Sequence, residues 1–138
     1  MKNNILLLFL SMLVFVSCTK EVETENNLIG TWHAVVVTAV DDIDGTPLDL
    51  IAMGESMTLR FEACGLDGQC QTIVELSLDG DIEIFDPIYV VDASGNSMAI
   101  PITFPAEITI VELTDDQLII STPTFVYGND LYVELDKE

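Results

Sequence analysis

Three cysteines are the side chains of this sequence best suited to covalent chemistry: Cys18, Cys64 and Cys70. A cysteine can remain a buried thiol, form half of a disulfide, or carry a group that is added after synthesis. Cys18 directly follows an apolar run, whereas Cys64 and Cys70 flank a short segment that contains two glycines. Because the number of cysteines is odd, at least one of them has no disulfide partner within the chain.

The other reactive side chains give poor signals for catalysis. The chain has one histidine, His33, and one arginine, Arg60, and it lacks a Gly-x-Ser-x-Gly motif, a phosphate-binding glycine loop and a histidine cluster. Paired carboxylates such as Asp41/Asp42 and Asp115/Asp116 could act as acid and base only if they were buried, and in turns such residues are normally solvated. We therefore predict that the protein is not an enzyme and needs no cofactor.

Two groups of residues raise the question of a metal site. Asp42, Asp44 and Asp49 surround an Asp-Gly turn and resemble half of a calcium loop, but the remaining oxygen ligands and the closing glutamate of an EF-hand are missing. Zinc binding by Cys64 and Cys70 is disfavoured by their spacing and by the distance of the lone histidine along the chain. The sequence therefore predicts no metal, with the three aspartates as a weak calcium candidate.

The N-terminal residues 1–17 have the pattern of a secretory signal peptide. Lys2 precedes the apolar run Ile5–Val16, which is too short for a membrane-spanning helix of about 20 residues but suits the apolar region of a signal peptide. The alternative is a buried N-terminal helix, which is disfavoured because the run has no polar face and no capping residue.

The segment Phe15-Val16-Ser17-Cys18 resembles the bacterial lipobox, which lipoprotein signal peptidase reads. The resemblance implies that Cys18 becomes the mature N-terminus and carries diacylglycerol and an amide-linked acyl chain such as palmitate, which together give stable membrane anchoring. It implies an outer-membrane lipoprotein that faces either the periplasm or the cell surface. The alternative, ordinary cleavage with a free Cys18 thiol, is a liability in an oxidising compartment. The polar residues that follow, up to residue 27, predict a flexible tether.

With Cys18 lipidated, Cys64 and Cys70 are left as a pair, and we predict that a disulfide joins them at a hairpin tip. Alternation places Cys64 with the polar face of one strand and Cys70 with the apolar face of the next strand. A β-bulge near Gly65 or Gly68 would bring both sulfurs to the same side.

The charge of the chain excludes one class of partner. The formal net charge is −20, and all 24 acidic residues follow position 17. Such a polyanion is repelled by nucleic acid phosphates and by anionic lipid headgroups. We therefore predict no nucleic-acid binding, and contact with a membrane only through the N-terminal lipid.

The pattern of residues 28–138 predicts a single all-β domain. Apolar and polar residues alternate over Met57–Ala63 and over Asp81–Ile84, which is typical of half-buried strands, and turn residues recur between short runs. The predicted strands are Thr31–Val40, Ser56–Cys64, Gln69–Leu78, Asp81–Phe85, Ile88–Val91, Ser97–Phe104, Glu107–Leu113, Gln117–Ser121 and Asn129–Leu135. Sequential short strands joined by hairpins favour an antiparallel barrel or a sandwich.

Two segments resemble the lipocalins, and in particular bacterial lipocalin-like lipoproteins. Gly30-Thr31-Trp32 resembles the Gly-x-Trp signature of the first strand, and Ile108–Ile120 resembles a late hairpin. The resemblance implies an antiparallel up-and-down β-barrel of about eight strands, with Trp32 near its closed end and a small apolar ligand in its lumen.

Two apolar rows are the candidates for lining that lumen, although ordinary core packing is the more common role of such residues. Alternation places Val35 and Val37 on the opposite face from the first row. The predicted function is an outer-envelope lipoprotein that binds a small apolar ligand. The alternative is a module with a filled barrel that contacts a cell-surface protein or glycan. The candidate ligand-binding residues are Trp32, Ala34 and Val36 in the first row and Met57, Leu59 and Phe61 in the second.

Overall fold

The computed structural model describes residues 20–40, 46–101, 107–123 and 130–138, and this part of the chain forms one helix and ten strands. Helix α1 covers residues 20–28. The strands are β1 (Gly30–Val40), β2 (Pro47–Asp49), β3 (Ser56–Phe61), β4 (Cys70–Leu78), β5 (Asp81–Phe85), β6 (Ile88–Val91), β7 (Ser97–Ala99), β8 (Glu107–Leu113), β9 (Gln117–Pro123) and β10 (Asp130–Lys137).

The strands close into an antiparallel barrel with eight strand positions. Strands β2 and β3 pair with different parts of the same edge of β1 and share one position, and β5 and β6 share another along β4. The ring closes where β1 pairs with β10, from Trp32 opposite Lys137 to Thr38 opposite Tyr132. Closure leaves few strand edges free for association with other chains, and it confirms the predicted all-β, up-and-down barrel of about eight strands.

One end of the barrel is covered by α1. The C-terminus, the segment 62–69 and the turns 92–96 and 114–116 lie at this end, which we call the closed end. The opposite end, which we call the open end, carries the β4–β5 turn, the last residues of β1, β7 and β9, and the first residues of β10. The predicted signal peptide, Cys18, Asp42 and Asp44 lie outside the described residues.

Most strand predictions are confirmed, and two elements were missed. Asp81–Phe85, Ile88–Val91 and Glu107–Leu113 have the predicted bounds. Strand β2 was not predicted, because its three residues are too few to show the alternation of a strand. Residues 20–28 are helical, whereas the polar composition up to residue 27 predicts a flexible tether. The helix is too short to be stable alone, so its contacts with the barrel must stabilise it, and these contacts have no local sequence signal.

The prediction that Val36 shares a face with Trp32 and Ala34 is wrong. A β-bulge lies between Ala34 and Val36, and Val36 is opposite Glu134. Because a bulge adds one residue to one strand, it reverses the alternation that follows. Val37, opposite Val133, is therefore on the inner face and only 5% exposed, and Val36 lies on the outer face.

In strand β5 the acidic residues, and not the isoleucines, lie on the inner-face side, which is the reverse of what apolar–polar alternation suggests. Asp79 and Gly80 both have positive φ, 54° and 86°, which is the type I′ geometry of a two-residue hairpin. This turn fixes Asp81 opposite Leu78 and Glu83 opposite Leu76. The two acids therefore share the inner-face side of β4, while Ile82 and Ile84 are on the outer face and are 64% and 65% exposed.

Candidate functional site

Trp32 forms the floor of the barrel at the closed end. Its side chain is fully buried, and its indole Nε1–H donates a 2.7 Å hydrogen bond to the carbonyl oxygen of Leu28 at the end of α1. The Lys137 Nζ lies 4.9 Å from the centre of the ring and donates to the Asn27 carbonyl at 3.2 Å. These contacts join the helix, the first strand and the last strand across the end of the barrel.

Gly30 leaves room for the lysine. A Cβ atom at this position would lie 2.6 Å from the Cε of Lys137, and the backbone φ is +137°. Glycine adopts this conformation without the steric cost that other residues pay. The close approach of the Lys137 side chain therefore explains why glycine is the first residue of the Gly-x-Trp segment.

A second contact between helix and barrel involves the disulfide. Cys64 and Cys70 are bonded, which confirms the predicted pair. No bulge is needed to align them, because β3 ends at Phe61 and the segment between them folds back through a Gly65 N–H bond to the Gln69 carbonyl. The Glu25 carboxylate of α1 lies 3.8 Å from the Cys70 sulfur.

Tyr89 packs beside this disulfide. Its ring meets Phe61 edge to face at 5.0 Å, and its hydroxyl donates to the Glu62 carbonyl at 3.4 Å. Burial, with a contribution from the charge of Glu25, raises the Tyr89 pKa to about 12. Burial and the neighbouring Glu21 raise the Glu25 pKa as well. The closed end is thus a packed seal between helix and barrel.

The inner face changes character toward the open end. At the closed end its apolar side chains are almost completely buried, whereas further along β3, β4 and β10 they are only partly buried although they still pack against the core. On the sides of the lumen formed by β3, β4 and β10, the open half therefore presents apolar surface that solvent still reaches, and we take this surface as the candidate binding site. On β1, by contrast, Val37 and Ala39 lie toward the same end and are only 5% and 0% exposed. The partly buried side chains toward the open end belong to Met57, Leu76, Phe85 and Leu131.

The structure divides the sequence-predicted lining residues into three groups. Trp32, Leu59 and Phe61 are at most 2% exposed and form the packed floor. Ala34 and Met57 lie on the inner face and are partly buried, while Val36 points away from the lumen.

Sequence reasoning missed three residues of the open half. Leu76 is opposite Met57, and Phe85 is opposite Val74. Leu131 is opposite the buried Thr122. The alternation of β4 and β10 could have indicated Leu76 and Leu131, whereas Phe85 depends on the register that the tight β4–β5 turn imposes.

Acidic side chains lie on the β3–β5 side of the open end. Asp81 and Glu83 are exposed on the inner-face side of β5, and Glu55 accepts two 3.1 Å hydrogen bonds from the Asp79 N–H in the neighbouring turn. Among the described residues, the basic side chains lie elsewhere. Arg60 is paired with Glu62 on the outer face at 3.2 Å, and Lys20 and Lys137 are at the closed end.

The candidates for other chemistry do not assemble into a site. Glu25, Cys64 and Cys70 are the one group of potential metal ligands that the described residues bring together, but both sulfurs are engaged in the disulfide. Asp49 is exposed and accepts a hydrogen bond from the Ala52 N–H at 3.2 Å. His33 is exposed, with Nδ1 3.1 Å from the Thr58 hydroxyl and Nε2 3.4 Å from a Glu138 carboxylate oxygen. Within the described ranges, no helix has the length and apolarity to cross a membrane.

Comparisons with known proteins identify the class of fold. No protein-family model and no curated protein matches the sequence. The structure of the siderocalin Ex-FABP, described as functioning through dual ligand specificities, matches with a TM-score of 0.58 and 11% identity over 81% of this chain and 74% of that chain. The odorant-binding protein OBP1 matches with a TM-score of 0.50 and 14% identity over 81% of this chain and 71% of that chain. The chain therefore has a lipocalin-like barrel, and at these identities the likeness concerns the fold alone.

Proposed function

We propose that this protein is a lipid-anchored lipoprotein of the outer envelope whose lipocalin-like barrel binds a small apolar molecule in its open half. One observation carries the proposal: inner-face side chains such as Met57, Leu76 and Leu131 are apolar but only partly buried. Covering such surface releases about 25 cal/mol per Å², so a small apolar ligand gains affinity there without breaking the packed floor. The structural neighbours, a siderocalin and an odorant-binding protein, support a binding role for this fold.

Titration with a neutral phenylnaphthylamine dye, whose fluorescence rises in apolar surroundings, tests the binding site. We expect saturable binding of one dye per barrel. Leu76→Trp, which fills the open half from the inner face, should weaken binding at least about tenfold, since it removes the space for the ligand.

Ile84→Trp is the matched control, because Ile84 is on the outer face of the paired strand and is 65% exposed. It should leave dye binding unchanged. Absence of saturable binding in the unmodified protein, or equal losses in the two variants, would contradict a luminal site.

The anchor is tested separately. Cys18→Ala removes the sulfur that would carry diacylglycerol, so the protein should move from the membrane fraction to the soluble fraction of the cell envelope. Dye binding by the soluble variant should match that of the unmodified protein, because Cys18 lies before the barrel. Unchanged fractionation would overturn the anchor and leave the binding proposal intact.

A second candidate function is an interaction module, and an exposed apolar stripe on the outer face favours it. Ile82, Ile84, Ile88 and Val90 lie along β5 and β6 and are 64%, 65%, 40% and 57% exposed. Exposed apolar patches of this kind often mark contacts with other macromolecules. A protein or glycan partner at the cell surface would bind this stripe, and Ile82→Ser with Ile84→Ser should then abolish complex formation while Leu76→Trp preserves it.

A further inference from the structure

We infer that the ligand of the barrel carries a positively charged amine on an apolar body, and that the open end discriminates against carboxylates. This inference rests on the proposed luminal binding site and adds the chemical class of the ligand's head group. The apolar inner face supplies the site, and the distribution of charge around its entrance selects what can enter.

The entrance has acids on the side of β5 that faces the lumen. Glu83 is directly opposite Leu76, and Asp81 is opposite Leu78. Leu76 packs against the core cluster while remaining partly exposed. A ligand that covers Leu76 therefore places its polar end beside the two carboxylates.

Among the residues that the structure describes, no basic side chain lies at this end. The sequence contains four basic residues besides the histidine: Lys2, Lys20, Arg60 and Lys137. Lys2 is in the predicted signal peptide, and the structure places the other three at the closed end or on the outer face.

The charge of the head group decides which ligands the entrance favours, because placing a charge near an apolar wall costs free energy. A carboxylate head group brought to this entrance would lose part of its hydration and face further negative charges, with no cation to pair with it. An ammonium head group gains attraction from the same charges, and the field of a polyanion also raises its local concentration at the mouth. We therefore expect affinity to be highest for ligands with an ammonium head group, intermediate for uncharged ligands and lowest for carboxylates.

The test compares three ligands that differ only in their head group: dodecylamine, dodecanol and dodecanoate. Each is used below its micelle concentration at neutral pH and low salt to displace the phenylnaphthylamine dye from the full mature chain. Displacement reports the lumen, so that adsorption of the amine to the acidic surface is not counted. We expect dodecylamine to compete at least roughly tenfold better than dodecanoate, with dodecanol intermediate, and the ratio to fall at high salt.

Two variants, each of which removes one negative charge, test whether the preference for the amine originates at the entrance. Glu83→Gln should reduce the preference for the amine several-fold, because it removes a carboxylate at the entrance. Glu75→Gln is the matched control: Glu75 is exposed on the outer face of β4, opposite Ile84, and its loss should leave the preference almost unchanged.

The outcomes separate this inference from the proposed function. If the dye binds but dodecanoate competes as well as dodecylamine, the inference is overturned while the luminal site stands. Equal effects of Glu83→Gln and Glu75→Gln overturn the assignment to the entrance. If neither the dye nor any of the three ligands binds, the proposed function itself fails.

Discussion

Single residues at the closed end hold the helix, the first strand and the last strand together. Trp32 combines full burial with a hydrogen bond from its indole N–H to the Leu28 carbonyl. Lys137 places its ammonium group over the same ring and donates to Asn27. A buried tryptophan with a satisfied N–H and a cation over its face contributes packing, a hydrogen bond and electrostatic attraction at one place.

We expect Lys137→Met to lower the free energy of unfolding by about 1 kcal/mol. The methionine keeps most of the apolar side chain but removes the cation over Trp32 and the hydrogen bond to Asn27. Urea unfolding followed by the fluorescence of Trp32 gives the measurement. Lys20→Met is the control, since Lys20 is an exposed residue of α1 and its loss changes the net charge equally. A similar loss in both variants would assign the effect to net charge and not to the ring.

Asp92 stabilises the turn that receives α1. Its carboxylate accepts hydrogen bonds from the Ser94 hydroxyl and from the N–H groups of Asn96 and Ser97. The Ser94 bond, supported by the backbone bonds, lowers the Asp92 pKa below its usual 3.8. A depressed folded-state pKa means that this contribution is present above about pH 3.8 and is lost as the pH falls through the folded-state value.

Asp92→Asn should therefore destabilise the protein at neutral pH, and the difference from the unmodified protein should shrink toward zero as the pH falls below the folded-state pKa. Urea midpoints measured across this range test the expectation. Asp115→Asn, at an exposed position in another closed-end turn, removes a carboxylate without this set of hydrogen bonds. A difference for Asp92→Asn that persists unchanged at the lowest pH would show that the charged carboxylate is not the source of the stability.

At the scale of elements, the docking of α1 depends on a close approach to the turn between β6 and β7. A Cβ atom at Gly95 would lie 2.6 Å from the Thr24 hydroxyl oxygen and 3.1 Å from the Lys20 carbonyl oxygen. The Thr24 hydroxyl also donates to the Gly95 carbonyl at 3.2 Å. The helix therefore rests on the backbone of this turn, and the turn has no room for a side chain.

Gly95→Ala should cost more stability than Gly80→Ala. Both glycines have positive φ, +72° and +86°, so each substitution carries a backbone cost of roughly 1–2 kcal/mol. A Cβ at Gly80 meets no atom within 4 Å, whereas at Gly95 the backbone of Lys20 must also move. Hydrogen exchange should show faster exchange of the α1 amides only in Gly95→Ala. Equal costs with unchanged exchange would contradict the docking contact.

For the whole molecule, the dominant long-range feature is negative charge. The formal net charge is −20 with an isoelectric point near 4.1, and the described cations are few and mostly engaged. Self-repulsion of this kind opposes the compact state. The same field that we propose selects the ligand at the open end therefore lowers the stability of the folded chain.

Stability should rise as salt is added. Increasing NaCl from about 10 to about 150 mM shortens the screening length from about 30 to about 8 Å, which weakens repulsion among charges that folding has brought together. Urea midpoints at several NaCl concentrations measure the effect, since urea itself is uncharged. Sucrose at matched osmolality is the control, because it is excluded from the protein surface but does not screen charges. A midpoint that falls with NaCl would show that attractive ion pairs outweigh the repulsion.

Much of the barrel follows from local pattern in the sequence. The strand bounds of Asp81–Phe85, Ile88–Val91 and Glu107–Leu113, the pairing of Cys64 with Cys70 and the apolar row of Leu59 and Phe61 are all visible without a structure. The strand bounds and the apolar row depend on alternation and turn residues, which are properties of neighbouring residues. The cysteine pair follows from the resemblance of residues 15–18 to a lipobox, which removes Cys18 from the count. The sequence also determines that basic residues are few, with four lysines and arginines against 24 acidic residues.

Tertiary structure decided which side of each strand faces the lumen and where the barrel ends. The bulge before Val36 and the two-residue turn before Asp81 each reverse the side to which an alternating strand presents its residues, because the side-chain period of a strand is two. The helix formed by residues 20–28 depends on contacts with Gly95, Cys70 and Lys137 that are distant in sequence. Local pattern therefore determined the strands and indicated Met57 as a lining residue. Register and long-range packing decided that Val37 and Phe85 are on the inner face and that Val36 is not.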